Sequence, residues 1–341
     1  MKTTIKEVAE AAQVSMATVS LALNNNKRIS QETHSKILKI AKKLNYYPSR
    51  QARALVTKTT GNIGFILTQN HFLKTEPFYT KIFLGSTFQA QNQDYYVFLN
   101  VIDPDFSSED QLPRFVLERN IDGIILAGKI PELFLTLLDK HKIPTVFIDY
   151  IPNEGKYPAV IIDNIHGGFL ATEHLIQLGH TNIAFIGGEI EHPSIADRLT
   201  GYKSALEKYN IIINNKLILT NHLETNKANG YIAAEKLFST MENFSAVFCS
   251  NDTMALGFID YLREKKASMM KTISIIGFDD IEGDILNSPS LSTIKVNKIE
   301  LGVEAIKLVI NSIKEADYTN KKIVLPVKLI KRESTREKTK E

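Results

Sequence analysis

The chain has 341 residues, a length that fits two or three folding units better than one. Hydrophobic residues make up 43% and charged residues 23%, which excludes a disordered or collagen-like chain and fits a globular one. The net charge of +3 hides an asymmetry: residues 1–60 hold eleven Lys and Arg against Glu7, Glu10 and Glu32, and the remainder holds thirty basic and thirty-five acidic residues. A basic head on a mildly acidic body is the distribution expected when one end meets a polyanion, although a solvated basic arm carries the same charge. The single cysteine, Cys249, excludes an internal disulfide, and the apolar run Ala246-Val247-Phe248-Cys249 fits a buried, inert thiol. No apolar run approaches the roughly 20 residues that span a bilayer. The polar N-terminus does not read as a signal peptide, so a cytoplasmic chain with no membrane partner is expected.

Thr4-Ile5-Lys6-Glu7 fits a capping box, with the Thr4 hydroxyl accepting from the Glu7 amide and the Glu7 side chain reaching back. Ile5, Val8, Ala9 and Ala12 follow at helical spacing, and Gln13-Val14 breaks the pattern. Ser15 caps a second short helix, 16–24, with Val19 and Leu23 on its apolar face. After the loop 24–27, Ser30 caps a third helix with Ile37, Ile40, Ala41 and Leu44 on one face. Three short helices with a tight turn between the first two make a helix-turn-helix unit. Met16, Ala17, Ser20 and Leu21 fall near the exposed N-terminal part of the second helix, the part that enters the major groove in this motif. Leu21 either packs on a thymine methyl or faces the neighbouring helix. Pro48 then suits the start of a short helix through Leu55, which is marginal without a partner, and a flexible linker is the alternative.

From Gly61 onward, apolar runs alternate with amphipathic segments. Strands are expected at 63–67, 95–100, 123–126, 145–149, 160–163, 183–187, 246–250 and 273–278. Helices are expected at 78–92, 131–141, 167–178, 196–209, 229–239 and 252–265. That alternation predicts parallel sheets covered on both faces, and the count predicts two doubly wound subdomains with a cleft between them. Ligands in such sheets bind beyond the carboxyl ends of the strands. This selects Thr68, Gln69, Phe78, Tyr79, Asp149, Arg198, Asn251, Asp252, Asp279 and Asp280 as candidates. Asp, Asn and Arg mixed with aromatics suit a polyhydroxylated ligand or a purine-like base. Asp252 is expected to cap the helix that follows it, and Asp280 to act likewise in its loop. His174 has no spaced partner on its helix and His180 reads as a turn residue, so neither suggests a metal. There is no nucleophile elbow, P-loop, GxGxxG or metal-ligand set, so no catalytic residue, metal or cofactor is expected.

The twenty residues from Ile5 to Asn24 resemble the DNA-binding signature of the LacI/GalR family of bacterial transcriptional regulators. Arg198-Leu199-Thr200-Gly201-Tyr202, Ser250-Asn251-Asp252-Thr253-Met254-Ala255-Leu256-Gly257 and Ile276-Gly277-Phe278-Asp279-Asp280 resemble its effector domain, which is similar to periplasmic sugar-binding proteins. The resemblance implies that Met16, Ala17 and Leu21 read bases and that Ser15, Thr18 and Ser20 touch phosphate or support the helix; Thr4 and Asn24 complete that DNA-facing set. Many relatives carry a polar or basic reader where Leu21 stands. The resemblance further implies a hinge helix in which Leu55 wedges into the minor groove while Arg50 and Arg53 neutralise flanking phosphates. For the effector it implies Phe78, Tyr79, Asp149, Arg198, Asn251 and Asp279, although the absence of Trp weakens transfer of a pyranose-stacking site.

The expected architecture is an all-α helix-turn-helix head on an α/β periplasmic-binding-protein-like body. The head spans 1–46, the hinge and linker 47–60 and the effector-binding and dimerisation domain 61–341. Within the body, one subdomain is expected over about 61–161 plus 291–322 and the other over about 162–290 plus 323–336. The expected function is a sequence-specific transcriptional repressor, not an enzyme, whose partners are double-stranded operator DNA, a small-molecule effector of sugar type and a second copy of the chain. The C-terminal tail lacks a leucine heptad, which favours a dimer over a coiled-coil tetramer. A solute-binding protein or a sugar-modifying enzyme on a related fold are the alternatives.

Overall fold

The computed structural model describes residues 3–23, 28–46, 59–72, 78–152, 156–222, 224–315 and 321–338. Asn24 and the segment with Arg50, Arg53 and Leu55 lie outside the described residues. The chain forms two compact units, Met1–Gly61 and Asn62–Glu341.

The first unit holds α1 (Ile5–Ala12), α2 (Met16–Leu23) and α3 (Gln31–Lys43). Thr4 and Glu7 form the capping box at the start of α1. Gln13 ends that helix in the left-handed region at φ 55, which turns the chain within three residues towards α2. Ser15 Oγ accepts from Thr18 N at 3.0 Å, and Ser30 Oγ accepts from Thr33 N at 3.2 Å. Each hydroxyl thus satisfies an N–H that the first turn of a helix leaves without an intrahelical partner. Val8, Ala9, Ala12, Val19, Ala22, Ile37 and Ala41 form the core, and the small side chains let the three helices approach closely.

The second unit contains two six-stranded sheets. The first is built from β1 (Asn62–Thr68), β2 (Tyr96–Ile102), β3 (Gly123–Ala127), β4 (Thr145–Ile148), β5 (Ala159–Ile162) and β11 (Lys322–Leu325), in the order β11-β5-β4-β3-β1-β2. All its pairings are parallel. The second is built from β6 (Ile183–Gly188), β7 (Ile218–His222), β8 (Ala246–Cys249), β9 (Ser274–Asp279), β10 (Ser292–Lys295) and β12 (Lys328–Ile330), in the order β12-β10-β9-β8-β6-β7. Only β12 runs antiparallel to its neighbour. Between the strands lie α4 (Gln69–Phe72), α5 (Phe78–Gln91), α6 (Arg114–Leu117), α7 (Glu132–His141), α8 (Asn164–Gln177), α9 (Pro193–Lys208), α10 (Lys227–Ser239), α11 (Asp252–Lys265), α12 (Gly283–Leu286) and α13 (Lys298–Lys314).

Both lobes repeat one winding, since 2-1-3-4-5 in the first corresponds to 7-6-8-9-10 in the second. Strands buried on both faces need apolar residues at every position. In β3, Ile125 and Ala127 join one core while Ile124 and Leu126 join another on the opposite face. In β6, Ile183 and Phe185 divide in the same way from Ala184 and Ile186.

The chain passes between the lobes three times. The first passage follows β5. The second follows β10 rather than preceding it, because Ser292–Lys295 pairs with β9. The third follows β11, because Lys322–Leu325 pairs with β5. The expected boundaries at 290/291 and 322/323 therefore each fall one strand too early. These strands are only four residues long, and their pairing is decided by distant partners rather than by local pattern.

Candidate functional site

In the first unit, α2 turns Val19 and Ala22 inwards, which leaves Met16 and Ala17 exposed and Ser20 and Leu21 half-buried. Met16 keeps 53% of its surface. Among the described residues, neither Met16 nor Leu21 belongs to the packed core of this unit, so Leu21 is not a core residue of the head. Ser15 and Thr18 are joined by their hydroxyls at 2.8 Å at the start of α2. Thr4 is committed to the cap of α1, where its backbone N–H and hydroxyl both donate to Glu7 Oε2. Those bonds hold the Glu7 carboxyl below its ordinary range.

In the second unit, side chains from both lobes meet at the carboxyl ends of their strands. Asp149 follows β4 with φ 61, and Asp279 ends β9 with φ 114, followed by Asp280 at φ 57. Three aspartates in conformations that L-residues avoid mark a place where packing imposes geometry on the backbone. Tyr79, Asp149, Arg198 and Asp279 are all buried. Tyr79 Oη donates to Asp149 Oδ2 at 3.1 Å, and Ser194 Oγ on α9 donates to Asp149 Oδ1 at 3.2 Å. One carboxylate thus draws a donor from each lobe. Burial first, then the Asp149 charge, push the Tyr79 hydroxyl well above its ordinary range, so it stays a donor.

Arg198 is fixed on every side. Its Nε donates to Asn164 Oδ1 at 2.9 Å, its Nη1 donates to the Ser250 carbonyl at 2.6 Å and its Nη2 faces Asp279 Oδ1 at 3.7 Å. The guanidinium stacks 3.7 Å from the centre of the Phe278 ring. Helix packing aims it there: a Cβ on Gly168 of α8 would lie 2.2 Å from the Arg198 carbonyl oxygen, so only glycine lets α9 approach. Phe78 meets Tyr79 edge to face at 5.1 Å, and the Lys298 ammonium lies 5.8 Å from the Phe78 ring. Lys298 Nζ also donates to the carbonyl oxygens of Asp279 and Asp280.

Five of the six expected effector residues, Phe78, Tyr79, Asp149, Arg198 and Asp279, converge here. Asn251 differs, since its side chain is committed to structure. Its Oδ1 accepts from Met254 N at 2.9 Å as the cap of α11, and its Nδ2 donates to the Thr225 carbonyl at 2.9 Å. The cap expected of Asp252 is therefore supplied one residue earlier. Asp252 is instead buried against Thr293 and Ile281. Asp280 is no cap either; burial opposes its ionisation, but Arg332 and Lys295 hold its carboxyl below the ordinary range. Cys249 is wholly buried, and burial pushes its thiol up. His180 is satisfied by Ser245 and Ser274, and His174 bonds Thr335.

Four residues of this cluster were not foreseen. Asn164 follows a strand end, and Ser194 stands four residues before Arg198 on one helix face, so both carried a readable signal. Ser250 contributes only its carbonyl, and Lys298 reads in sequence as a surface lysine.

Comparison with known proteins agrees with this arrangement. Residues 4–49 match the bacterial regulatory proteins, lacI family, and residues 172–335 match a periplasmic binding protein-like domain. The chain is 33% identical over 335 residues to the HTH-type transcriptional repressor PurR of Vibrio vulnificus (strain CMCP6), covering 98% of each chain. Among solved structures, a transcriptional regulator CelR–cellobiose complex is similar at 25% identity and a TM-score of 0.72, covering 98% of this chain and 100% of that one. A LacI family transcriptional regulator from Enterococcus faecium with bound ribose is similar at 28% identity and a TM-score of 0.69, covering 82% of this chain and 100% of that one. The chain belongs to the lacI family of bacterial regulatory proteins and is a DNA-binding, effector-controlled transcriptional repressor of that family, not an enzyme.

Proposed function

We propose that the cleft takes a small polyhydroxylated effector, a sugar or sugar derivative, and that its occupancy sets the operator affinity of a homodimer. The convergence of Asp149, Arg198 and Asp279 at the strand ends carries this reading. Carboxylates accept from sugar hydroxyls, a fixed guanidinium donates, and the Phe78–Tyr79 pair offers apolar area beside them. The similarity to regulators bound to cellobiose and to ribose supports it. Asp149 accepts from both lobes, so a ligand hydroxyl that competes there alters how the lobes are held.

On the DNA side, Met16, Ala17 and Leu21 present an apolar reading surface that favours thymine methyls, with Ser15, Thr18 and Ser20 near the phosphates. Thr4, Asn24, Arg50, Arg53 and the Leu55 wedge complete the operator contacts. Two half-sites call for two heads. Leu84 and Phe88 of α5, with Tyr96 and Leu99 on the edge strand β2, are exposed and supply apolar area for a second copy. No helix among the described residues is long and apolar enough to cross a membrane, and a chain that acts on operator DNA works in the cytoplasm.

A purine-like base stacked on Phe78 is the second reading, favoured by an aromatic face that stands beside two carboxylates. A thermal-shift screen with ribose, cellobiose and purine bases separates the two. A raised Tm with a sugar alone supports the first reading, and a raised Tm with bases alone replaces it with the second.

A further inference from the structure

Asp252 and Asp284 meet beneath the loop that carries Asp279, and neither retains any exposed surface. Asp252 opens α11 and Asp284 lies in α12. One backbone N–H, that of Ile281, is shared between them: it lies 3.2 Å from Asp252 Oδ2 and 2.9 Å from Asp284 Oδ2. Thr293 Oγ1 on β10 donates to Asp252 Oδ1 at 2.6 Å. β9 closes the remaining side, since a Cβ on Gly277 would lie 2.1 Å from Asp252 Oδ1. Asp284 Oδ1 is buried and, among the described residues, has no hydrogen-bond donor.

The surrounding charges do not compensate two anions. Arg332, after β12, reaches Asp284 only at 3.9 Å and is engaged with Asp280. Lys295 of β10 faces Asp280, Arg198 of α9 faces Asp279, and Lys298 of α13 donates to the carbonyls of Asp279 and Asp280. Cys249 of β8 is a neutral thiol. Asp279 and Asp280 add further negative charge from the loop itself. Two adjacent carboxylates out of water cannot both ionise at bearable cost. One proton between them supplies the donor that the cluster otherwise lacks.

We propose that Asp252 and Asp284 are positioning residues that lock the loop 279–284 through a single proton shared between their carboxyls, and that loss of this proton releases the loop. The consequence for effector binding rests on the role proposed for Asp279; the lock itself does not. Burial, then the charge of its partner, push Asp252 well above the carboxylate range, and burial pushes Asp284 up to about 6. Both are held above their unfolded values. The stability they give is therefore complete below about pH 4, where both carboxyls are protonated even in the unfolded chain, and is lost as pH rises from there through the folded values.

Asp252→Asn keeps an acceptor towards Thr293 and an N–H donor towards Asp284 at every pH, and the Ile281 N–H keeps Asp284 Oδ2 as its acceptor. Between about pH 6 and about pH 9, the full-length wild type is expected to lose several degrees of Tm relative to this variant. Hydrogen exchange at 280–286, corrected for its intrinsic pH dependence, is expected to accelerate in the wild type alone. Parallel Tm and exchange profiles in the two proteins would overturn the proposal. Should the variant not fold, infrared titration of the wild type decides: a protonated-carboxyl band at neutral pH that fades as exchange rises supports the lock, and no such band overturns it. Neither measurement uses an effector, so failure here leaves the reading of the cleft intact, and a cleft that binds nothing leaves the lock intact.

Discussion

Lys298 occupies a place that a lysine ordinarily avoids. It is the first residue of a 17-residue helix, where the helix dipole opposes a cation, and it keeps only 4% of its surface. What compensates is the pair of carbonyls at Asp279 and Asp280, whose left-handed backbone turns them towards the ammonium. Lys298→Met is predicted to leave both carbonyls short of a donor and to destabilise the body by roughly 2 kcal/mol. Urea unfolding checks this, and an unchanged midpoint would mean that the ammonium is idle. Arg198 is different in kind, because its contacts join the side chains proposed to meet the effector. Arg198→Ala is predicted to abolish the effector response while operator affinity, measured by fluorescence anisotropy, stays within about twofold. Strand-end position alone pointed to Asp149, Arg198 and Asp279. It could not separate Asn251 from them, because a helix cap and a ligand contact ask for the same side chain at the same place.

At the scale of elements, glycine decides how closely helices approach. Gly168→Ala forces a Cβ against the Arg198 carbonyl, so α9 must retreat from α8 and carry its arginine with it. The predicted cost is roughly 1–3 kcal/mol, with a weakened effector response at unchanged operator affinity. Ser30→Ala removes the acceptor for Thr33 N at the start of α3 and is predicted to cost about 1 kcal/mol of head stability. Helices with polar caps and buried, doubly apolar strands were mostly legible, because both signals are local, but α13 with its Asn297 cap was not among the expected helices. β7, β10, β11 and β12 were not, because short strands with polar or charged residues take their identity from pairing partners far along the chain. The two misplaced lobe boundaries have that same cause. Asp252 and Asp284 were beyond reach for a related reason: their meeting at the Ile281 N–H joins residues far apart in the chain, and each aspartate alone reads as a cap or a solvated acid.

For the whole molecule, the division at Gly61 and the charge asymmetry describe the same boundary. A chain lacking residues 1–61 is predicted to stay folded, dimeric and able to bind the effector; a monomer in analytical ultracentrifugation would remove the body from the dimer contact. The central claim is that occupancy of the cleft controls the DNA-binding head. It is tested most directly by titrating full-length protein with operator DNA, with and without the sugar that raises its Tm, for wild type and Arg198→Ala. The account predicts an operator affinity that changes by about tenfold or more in the wild type and not at all in the variant. An operator affinity that the bound sugar leaves unchanged in the wild type would contradict it.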